Sequence, residues 1–175
     1  VIGDGRGEVS HLWERECSLQ RRNQKLVEIA PSPSLPAELR ERIIEAAVRM
    51  AKAVNYRSLG TFEFLVDIET GSFAFIEANP RLQVEHTITE EVTGVDLVRA
   101  QLQLAAGETL ETLGLRQQDI SRPNGYAIQL RVNMETMDAQ GNIRPAGGTL
   151  HTFEPPTGPG VRVDTFGYGG YRISP

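Results

Sequence analysis

The feature of this chain that most limits its fold is the stretch "GTFEFLVDIETGSFAFIEAN", in which apolar residues recur at every second position. Phe62, Phe64 and Val66 form the first run, and Phe73 and Phe75 form the second, after the polar segment "DIETGS". A two-residue period places side chains on one face of an extended strand, and a short turn joins two such strands as a hairpin. The sequence therefore predicts antiparallel strand pairing in the middle of the chain.

The segments on either side predict further strands and two helices. "VIGDGRGEVSHLW" predicts a hairpin with a glycine-rich turn, and "ERECSLQRRNQKLVEIAPSP" predicts an extended stretch closed by Pro31 and Pro33. A helix with Pro36 in its first turn follows, and a later helix in "GVDLVRAQLQLAAG" is predicted to end at Gly107. "RPNGYAIQLRVNME" predicts an alternating strand, and "TLHTF" and "GVRVDTF" are shorter strand-like pieces. This order predicts an α+β fold, an antiparallel sheet with flanking helices.

The composition excludes several classes of function. A net charge of −5 over 175 residues argues against sequence-independent nucleic-acid binding. Cys17 is the only cysteine, so neither an intramolecular disulfide nor a cysteine-based metal site can form, which favours a reducing compartment. No apolar run approaches transmembrane length, so we expect no membrane partner and a cytoplasmic location, or the mitochondrial matrix in a eukaryote. The start at Val1 and the end in "GYRISP" lead us to expect an excerpt of a longer polypeptide.

Five polar residues occupy alternate positions at the end of the predicted hairpin and beyond it. They are Glu77, Asn79, Arg81, Gln83 and Glu85. A straight strand would put them on one face but would spread them over about 26 Å, too far for one reacting centre. Pro80 breaks the strand pairing, so the segment after it can curl and the five side chains can converge.

Two carboxylates and an amide in this region suit a hard cation. Glu63 in the first strand and Glu77 in the second come within about 5 Å of each other if they are cross-strand partners. Asn79 adds an amide oxygen on the same face, and such a set suits Mg²⁺, especially Mg²⁺ shared with substrate phosphates. The alternative is two solvent-exposed strand glutamates. Against it stands the position of Glu63 between Phe62 and Phe64, where an unpaired acid is costly.

Further charged residues indicate an anionic substrate. With a cation nearby, Arg81 could bind an anionic substrate and Glu85 could remove a proton from it, as in phosphoryl transfer. The alternative is a surface ion pair between Arg81 and Glu85. The cluster "QRRNQK", which includes Lys25, either binds an anion or forms a solvated face, and Arg131 could equally be a partnered structural arginine. Neither a Walker motif nor a Rossmann fingerprint is present, so no P-loop mechanism is predicted.

Four stretches, in this order, resemble the biotin carboxylase component of biotin-dependent carboxylases, a family of ATP-grasp enzymes: "ERECSLQRRNQK", "GTFEFL", "FIEANPRLQVEHTITEEVTGVDLVRAQLQLAAG" and "RVNMET". The resemblance covers nearly the whole chain, and "NPRLQVEHTITE" is highly specific to that family. It implies an ATP-grasp-like antiparallel sheet in a fragment of a biotin carboxylase domain. The C-terminal half of the ATP-grasp domain would occupy 1–115, and the start of the C-terminal subdomain would occupy 116–175.

The resemblance also implies a ligase reaction, its cofactors and its partners. ATP phosphorylates bicarbonate to carboxyphosphate, which yields CO₂ for the ureido nitrogen of biotin. The implied cofactors are Mg²⁺ or Mn²⁺, ATP, and biotin on a carrier domain. The implied partners are that biotin carboxyl carrier domain, a carboxyltransferase domain or subunit, and further copies of the chain in a homo-oligomer. The final carboxyl acceptor stays open among acyl-CoA, pyruvate and urea.

Residue by residue, the resemblance implies the following roles. The metal ligands match Glu63, Glu77 and Asn79, of which the two glutamates also contact ATP. The bicarbonate ligands match Lys25, Arg81, Gln83 and, through its backbone, Val84. The base that deprotonates bicarbonate matches Glu85, the arginine that stabilises the biotin enolate matches Arg131, and Lys25 and Arg81 count as catalytic with them. The positions that line the phosphates and ribose of the nucleotide match Gln20 and Asn23.

Two departures from the family pattern bear on these expectations. Asn23 stands where most members have histidine, giving "RRNQK" for "RRHQK", although an amide can still donate a hydrogen bond. The upstream lid and adenine hinge of the family have no counterpart in this sequence, so we expect the 175 residues alone to be inactive. The alternatives are another ATP-grasp ligase, or a non-catalytic carboxylase-like module kept for assembly.

Overall fold

A computed structural model describes residues 1–22 and 24–173. Asn23, one of the two predicted nucleotide contacts, therefore lies outside the described residues. The chain forms two compact units, Val1–Arg131 and Val132–Pro175. The first unit contains every residue that the resemblance places in the metal, bicarbonate or nucleotide site.

Antiparallel sheets supply the strands of the first unit. One sheet contains β1 (Ile2–Asp4), β2 (Val9–Ser10) and β5 (Arg57–Leu59), with β1 in the middle. A second sheet contains β3 (Glu16–Arg21), β4 (Gln24–Ala30) and β8 (Ala127–Leu130), with β4 in the middle. A hairpin consists of β6 (Thr61–Asp67) and β7 (Ser72–Asn79). The predicted α+β architecture with antiparallel pairing is confirmed.

Three α-helices accompany these sheets in the described part of the chain: α1 (Ala37–Ala53), α2 (His86–Thr93) and α3 (Leu97–Ala105). The helix α1 begins one residue after Pro36, which occupies its N-cap position rather than its first turn. The side chain of Asp96 caps α3 by accepting a hydrogen bond from the Arg99 N–H at 2.8 Å. Gly107 follows α3 with a φ of 103°, which confirms the predicted glycine at the helix end.

Two apolar clusters hold the first unit together. The larger one contains Ile2, Leu12, Leu59, Leu97, Ala100, Leu104, Leu110 and Leu115. The smaller one joins Ala30 of β4 to Ile88 and Val92 of α2. Because burial of these side chains fixes α2 against β4, the residue at the start of α2 is held beside the residues of β4.

The predicted central hairpin is present, and its ladder contains a register shift between Glu63 and Phe64. Glu63 of β6 lies directly opposite Glu77 of β7, and β7 ends at Asn79, before Pro80. The ring centroid of Phe64 lies 5.7 Å from that of Phe73, a cross-strand aromatic contact that reinforces this register. Both the hairpin and the strand break after it are confirmed.

The sequence prediction for 14–33 was incomplete. The expected single extended stretch is a hairpin of β3 and β4, with Gln20 opposite Lys25 and Arg21 opposite Gln24. Its turn places Arg22 at a φ of 49°, a left-handed conformation that non-glycine residues adopt rarely. An arginine gives no sequence signal for such a turn, which explains the omission.

The helix α2 and the second unit also differ from the sequence prediction. Beyond Pro80 a curled segment was expected, but α2 was not. In the second unit β9 (Glu135–Met137) pairs with β10 (Ile143–Pro145), and β11 (Gly148–Thr149) pairs with β12 (Arg172–Ile173). Only Thr149 of "TLHTF" lies in a strand and "GVRVDTF" contains none, so both strand predictions were wrong in extent. Alternation over so few residues does not provide a pairing partner.

None of the helices within the described residues combines the length and the apolar character needed to cross a membrane.

Candidate functional site

Lys25, Glu63 and Glu85 converge from three different elements of the first unit. The Lys25 Nζ on β4 lies 2.7 Å from Glu63 Oε1 on β6 and 3.1 Å from Glu85 Oε1 at the start of α2. The side chain of Glu85 is only 3% exposed and that of Lys25 is 17% exposed. The structure therefore joins a predicted bicarbonate ligand, a predicted metal ligand and the predicted base. Burial of Glu85 also rules out the alternative of a surface pair with Arg81.

Arg131, which follows β8, completes the surroundings of Glu85. Its Nη2 lies 2.9 Å from Glu85 Oε2, so each oxygen of this carboxylate contacts a different cation. Burial raises the pKa of Glu85, but its own backbone N–H, the Lys25 ammonium and the Arg15 guanidinium outweigh burial and hold that pKa below its ordinary value. Glu85 is thus an ionised carboxylate at neutral pH, as a general base must be.

The three predicted metal ligands lie together on the hairpin. The Asn79 Nδ2 donates to Glu63 Oε1 at 3.1 Å and to Glu77 Oε1 at 2.8 Å, so the amide bridges the two opposed carboxylates. Rotation of this amide by half a turn would present its oxygen instead of its nitrogen. Two carboxylates and an amide oxygen form a donor set that fits Mg²⁺. The described residues contain no cluster of three or more acidic, histidine or cysteine side chains that could hold a metal ion, and the set on the hairpin consists of two carboxylates and an amide.

Gln83 connects the hairpin to a half-buried arginine that the sequence analysis missed. The Gln83 Nε2 donates to Glu63 Oε1 at 3.2 Å, and the Gln83 Oε1 accepts from Arg15 Nη2 at 3.2 Å. Arg15 also donates to Thr61 Oγ1 at 3.1 Å and to Thr89 Oγ1 at 2.9 Å. One guanidinium therefore ties together β6, the segment after Pro80 and α2. Nothing in "ERE" distinguishes this arginine from a solvated one.

Glu28 of β4 is the second residue that the sequence analysis missed. It is 1% exposed, and neither carboxylate oxygen has a hydrogen-bond partner within the described residues. Its Oε1 lies 3.7 Å from Arg131 Nη2. Burial, followed by the negative charge of Glu85, raises the pKa of Glu28 to about 7, against the opposing effect of Arg15, Arg131 and Lys25. In sequence Glu28 is one acid in an alternating strand, and its burial depends on the elements that pack around β4.

Arg81, Val84 and Gln20 stand apart from the buried cluster. The Arg81 Nη1 donates to the Leu82 carbonyl at 3.2 Å, the Val84 side chain is 57% exposed, and the Gln20 Nε2 donates to the Cys17 carbonyl at 2.9 Å. A cavity of about 360 Å³ nevertheless has polar and charged walls made by Gln20, Lys25, Glu63, Arg81, Gln83 and Glu85. Its apolar walls include Ile43, Phe64, Leu65 and Ile76. The cavity thus combines a charged end with an apolar surface.

Glu28 should make the stability of this unit pH-dependent. Because its folded-state pKa of about 7 exceeds the ordinary value of 4.5, the folded chain keeps a proton that the unfolded chain loses between these pH values. The contribution of Glu28 to the free energy of unfolding is therefore largest below pH 4.5 and falls as pH rises through 7.

Replacement of Glu28 by glutamine should remove this dependence. As pH rises from 5 to 8, the parent should lose stability that Glu28→Gln keeps. The difference in unfolding free energy between the two proteins should therefore grow by up to about 3 kcal/mol in favour of the variant. Scanning calorimetry at both pH values checks this expectation. An equal difference between variant and parent at the two pH values would show that Glu28 titrates normally.

Comparison with known proteins identifies the family. Residues 1–113 match the profile of the family described as carbamoyl-phosphate synthase L chain, ATP binding domain, and residues 129–175 match biotin carboxylase C-terminal domain. Pyruvate carboxylase from Aspergillus niger is 53% identical over 176 residues, which make up 100% of this chain and 14% of that protein.

Two solved structures have the same fold over nearly the whole chain. The biotin carboxylase domain of a single-chain bacterial carboxylase has a TM-score of 0.89 and 57% identity, over 99% of this chain and 38% of that one. The biotin carboxylase domain dimer of Hydrogenobacter thermophilus 2-oxoglutarate carboxylase, in complex with MgADP, ADP and bicarbonate, has a TM-score of 0.89 and 48% identity. That match covers 99% of this chain and 37% of the other.

The chain spans 14% of the matched pyruvate carboxylase and 37% to 38% of the two matched structures. The resemblance to biotin carboxylases stated from the sequence is confirmed by the family profiles and by the solved structures. Because the first profile matches more than half of its residues, this chain belongs to the family of the carbamoyl-phosphate synthase L chain ATP-binding domain, and it corresponds to a segment of a biotin carboxylase domain.

Proposed function

We propose that the protein carrying this segment carboxylates biotin with ATP and bicarbonate, through carboxyphosphate. The observation that carries the proposal is the buried Glu85, whose two oxygens contact Lys25 at 3.1 Å and Arg131 at 2.9 Å. A carboxylate that is ionised, buried and flanked by two cations is equipped to take a proton from a small anion that the same cations bind. The matched domain that binds bicarbonate and MgADP in Hydrogenobacter thermophilus supports this substrate set.

In the proposed reaction Lys25, Arg81, Gln83 and the Val84 N–H bind bicarbonate next to Glu85. The Glu85 carboxylate accepts the bicarbonate proton, and the electron pair of the broken O–H bond stays on the oxygen. That oxygen bonds to the γ-phosphorus of ATP, the bond from phosphorus to ADP breaks, and carboxyphosphate and ADP result. Binding both reactants beside one base replaces a bimolecular encounter with a positioned one. The bond between carbon and the phosphate oxygen of carboxyphosphate then breaks, giving CO₂ and phosphate. The phosphate accepts the proton of the biotin ureido nitrogen, Arg131 stabilises the resulting enolate, and the nitrogen bonds to the carbon of CO₂.

Glu63, Glu77 and Asn79 would hold Mg²⁺ or Mn²⁺ in this proposal. When bound, the metal would neutralise charge on the phosphates of ATP. Glu63 already accepts hydrogen bonds from Lys25, Asn79 and Gln83 on one oxygen, Oε1, so the metal end and the bicarbonate end share a residue. Gln20 and Asn23 would contact the nucleotide.

The proposal extends to domains, partners and location. The segment at 1–115 would belong to the ATP-grasp domain and that at 116–175 to the C-terminal subdomain. A biotin carboxyl carrier domain and a carboxyltransferase would act with them, and the protein would form a homo-oligomer, as the matched dimer does. The cytoplasm, or the mitochondrial matrix in a eukaryote, would be its location. Acyl-CoA, pyruvate and urea are the candidate final acceptors.

The test measures ADP release by the intact protein that carries this segment, with MgATP and bicarbonate, in the presence and absence of free biotin. Stimulation by biotin is the expected result. ADP release that is independent of biotin would instead indicate another ATP-grasp ligase. A folded protein that binds MgATP but releases no ADP would indicate a non-catalytic assembly module. The 175 residues alone are expected to release none.

Removal of a proposed metal ligand should raise the metal requirement. Glu77 is exposed, so Glu77→Gln should leave the fold intact while raising the Mg²⁺ concentration for half-maximal rate about tenfold or more. The matched control is Glu69→Gln, an exposed glutamate in the turn of the same hairpin. Titration of ADP release with Mg²⁺, and of Mn²⁺ binding by electron paramagnetic resonance, checks the shift. Identical titrations for the two variants would exclude Glu77 as a ligand.

A further inference from the structure

Gln83 is held in the site through its main chain as well as its side chain. It is 7% exposed, its carbonyl accepts the His86 N–H at 3.2 Å, and the same carbonyl lies 2.8 Å from the His86 Nδ1. Because the main chain is fixed in this way, the buried side chain keeps one freedom that needs no extra space: its amide can rotate by half a turn. That rotation exchanges oxygen and nitrogen, so it decides whether Gln83 offers a ligand an acceptor or a donor.

Arg15 fixes which of the two orientations is present. Its Nη2 lies 3.2 Å from the Gln83 Oε1, and a guanidinium has N–H donors but no acceptor. An amide nitrogen in that place would set one donor against another, so the oxygen must face Arg15. The Gln83 Nε2 in turn lies 3.2 Å from Glu63 Oε1, and an ionised carboxylate can only accept. Both charged neighbours therefore require the same orientation of the amide.

Arg15 is also the neighbour that can keep this orientation during the proposed reaction. Glu63 is a proposed metal ligand, so a bound cation would compete for the oxygen that accepts from Gln83. A guanidinium does not bind a cation, so Arg15 keeps its contact. Its other hydrogen bonds within the described residues go to neutral hydroxyls, Thr61 Oγ1 at 3.1 Å and Thr89 Oγ1 at 2.9 Å. These hydroxyls come from β6 and α2, and they hold the guanidinium against Gln83.

The resulting orientation leaves an N–H of Gln83 available to an anion. The amide nitrogen carries two hydrogens and the contact with Glu63 occupies one; among the residues that the structure describes, Gln83 Nε2 donates to no other acceptor. The cation on the amide oxygen also polarises the group and strengthens its N–H donors. Bicarbonate is an anion, so a side chain that binds it has to offer a donor. The opposite orientation would place the amide oxygen against the anion and repel it.

We propose that Arg15 is a positioning residue that fixes the Gln83 amide, before bicarbonate binds, with its nitrogen toward the bicarbonate site. Arg15 touches no substrate in this proposal and acts only through Gln83. An amide that is already oriented loses less conformational freedom when the anion arrives, so the benefit appears as tighter binding of bicarbonate. The inference rests on the proposed function, because it takes the anion at Gln83 to be bicarbonate.

Neutron crystallography of the intact protein with MgADP tests the orientation without any turnover. In crystals grown from heavy water, deuterium marks the amide nitrogen and so distinguishes it from the oxygen. The Gln83 oxygen should face Arg15 in the parent, whereas the Arg15→Met variant should show both orientations of the amide. A parent with the amide nitrogen facing Arg15, or a variant that keeps the parent's single orientation, would overturn the proposal.

Kinetics of a double variant test whether Arg15 acts through Gln83. Arg15→Met should raise the KM for bicarbonate about tenfold and change kcat much less, the pattern of a contact that is lost equally in the bound state and the transition state. Gln83→Ala should raise this KM at least as much. Addition of Arg15→Met to Gln83→Ala should then raise it no further. KM increases that multiply in the double variant would overturn the proposal.

Two further variants separate positioning from loss of the fold. Arg15→Lys keeps one cationic donor, so its KM for bicarbonate should lie between those of the parent and Arg15→Met, and it serves if Arg15→Met fails to fold. Arg40 is the matched control, a half-buried arginine that donates to Glu14 Oε1 at 2.7 Å and to the Ser32 carbonyl at 3.0 Å. Arg40→Met should keep the parent KM, and an increase equal to that of Arg15→Lys would overturn the inference alone. A parent that biotin does not stimulate would instead overturn the proposed function.

Discussion

Replacement of Glu85 by glutamine is expected to lower bicarbonate-dependent ADP release by about 10²- to 10⁴-fold, the usual contribution of a general base. The substitution keeps the size of the side chain and its contact with Lys25, but it replaces the carboxylate that would accept the bicarbonate proton with an amide that is not a base. Because Glu85 lies at the proposed bicarbonate end of the cluster, the KM for ATP should change little. Initial rates of ADP release at saturating MgATP check the expectation.

Two comparisons make this result specific to Glu85. Glu14→Gln removes a largely buried glutamate with an arginine partner outside the cluster, and it should retain the parent rate. Calorimetry of both variants separates loss of the base from loss of the fold. A folded Glu85→Gln protein that still releases ADP at the parent rate would place the base elsewhere.

The proposed metal ligands on the hairpin could be predicted from the sequence only in part. The aromatic alternation identifies both strands, but the pairing of Asp67 with Ser72 at the turn, continued without interruption, would set Glu63 opposite Ile76. A register shift between Glu63 and Phe64 sets Glu63 opposite Glu77 instead, and the alternation does not encode this irregularity. Pro80 marks the end of β7 for a local reason, since proline lacks the N–H that a ladder needs.

The buried part of the site could not be predicted in this way. Arg15 contacts Thr61, Gln83 and Thr89 across sequence separations of 46, 68 and 74 residues, and no local pattern encodes such distances. Glu28 lies on β4, against which α2 packs, and α2 was itself missed. A charged residue in an alternating strand looks solvated in sequence unless the element that covers it is known. The resemblance supplied Lys25, Glu85 and Arg131, whereas Arg15 and Glu28 required the structure.

Replacement of Arg15 by methionine should be the most destabilising change in the unit, at about 3–5 kcal/mol of unfolding free energy. Burial lowers the pKa of Arg15, and the carboxylates of Glu85, Glu28 and Glu63 act in the opposite direction, which shows how closely the three acids surround it. Methionine fills similar space but leaves these acids with one cation fewer. It also removes the donor to Gln83, so the KM for bicarbonate should rise as well. Scanning calorimetry of the intact protein at pH 8 measures the loss.

A double variant tells whether charge or packing causes that loss. If the excess negative charge is responsible, Glu28→Gln should stabilise the Arg15→Met protein by about 1–3 kcal/mol more than it stabilises the parent, since the carboxylate that it removes is then left with one cation fewer. If lost hydrogen bonds to Thr61 and Thr89 are responsible, the two effects should simply add. We expect the extra stabilisation, because the cluster has three cations, Lys25, Arg15 and Arg131, for three carboxylates, Glu28, Glu63 and Glu85. Removing one of each restores equal numbers. Additivity would mean that Arg15 serves as a structural tie between β6 and α2 rather than as a counter-charge.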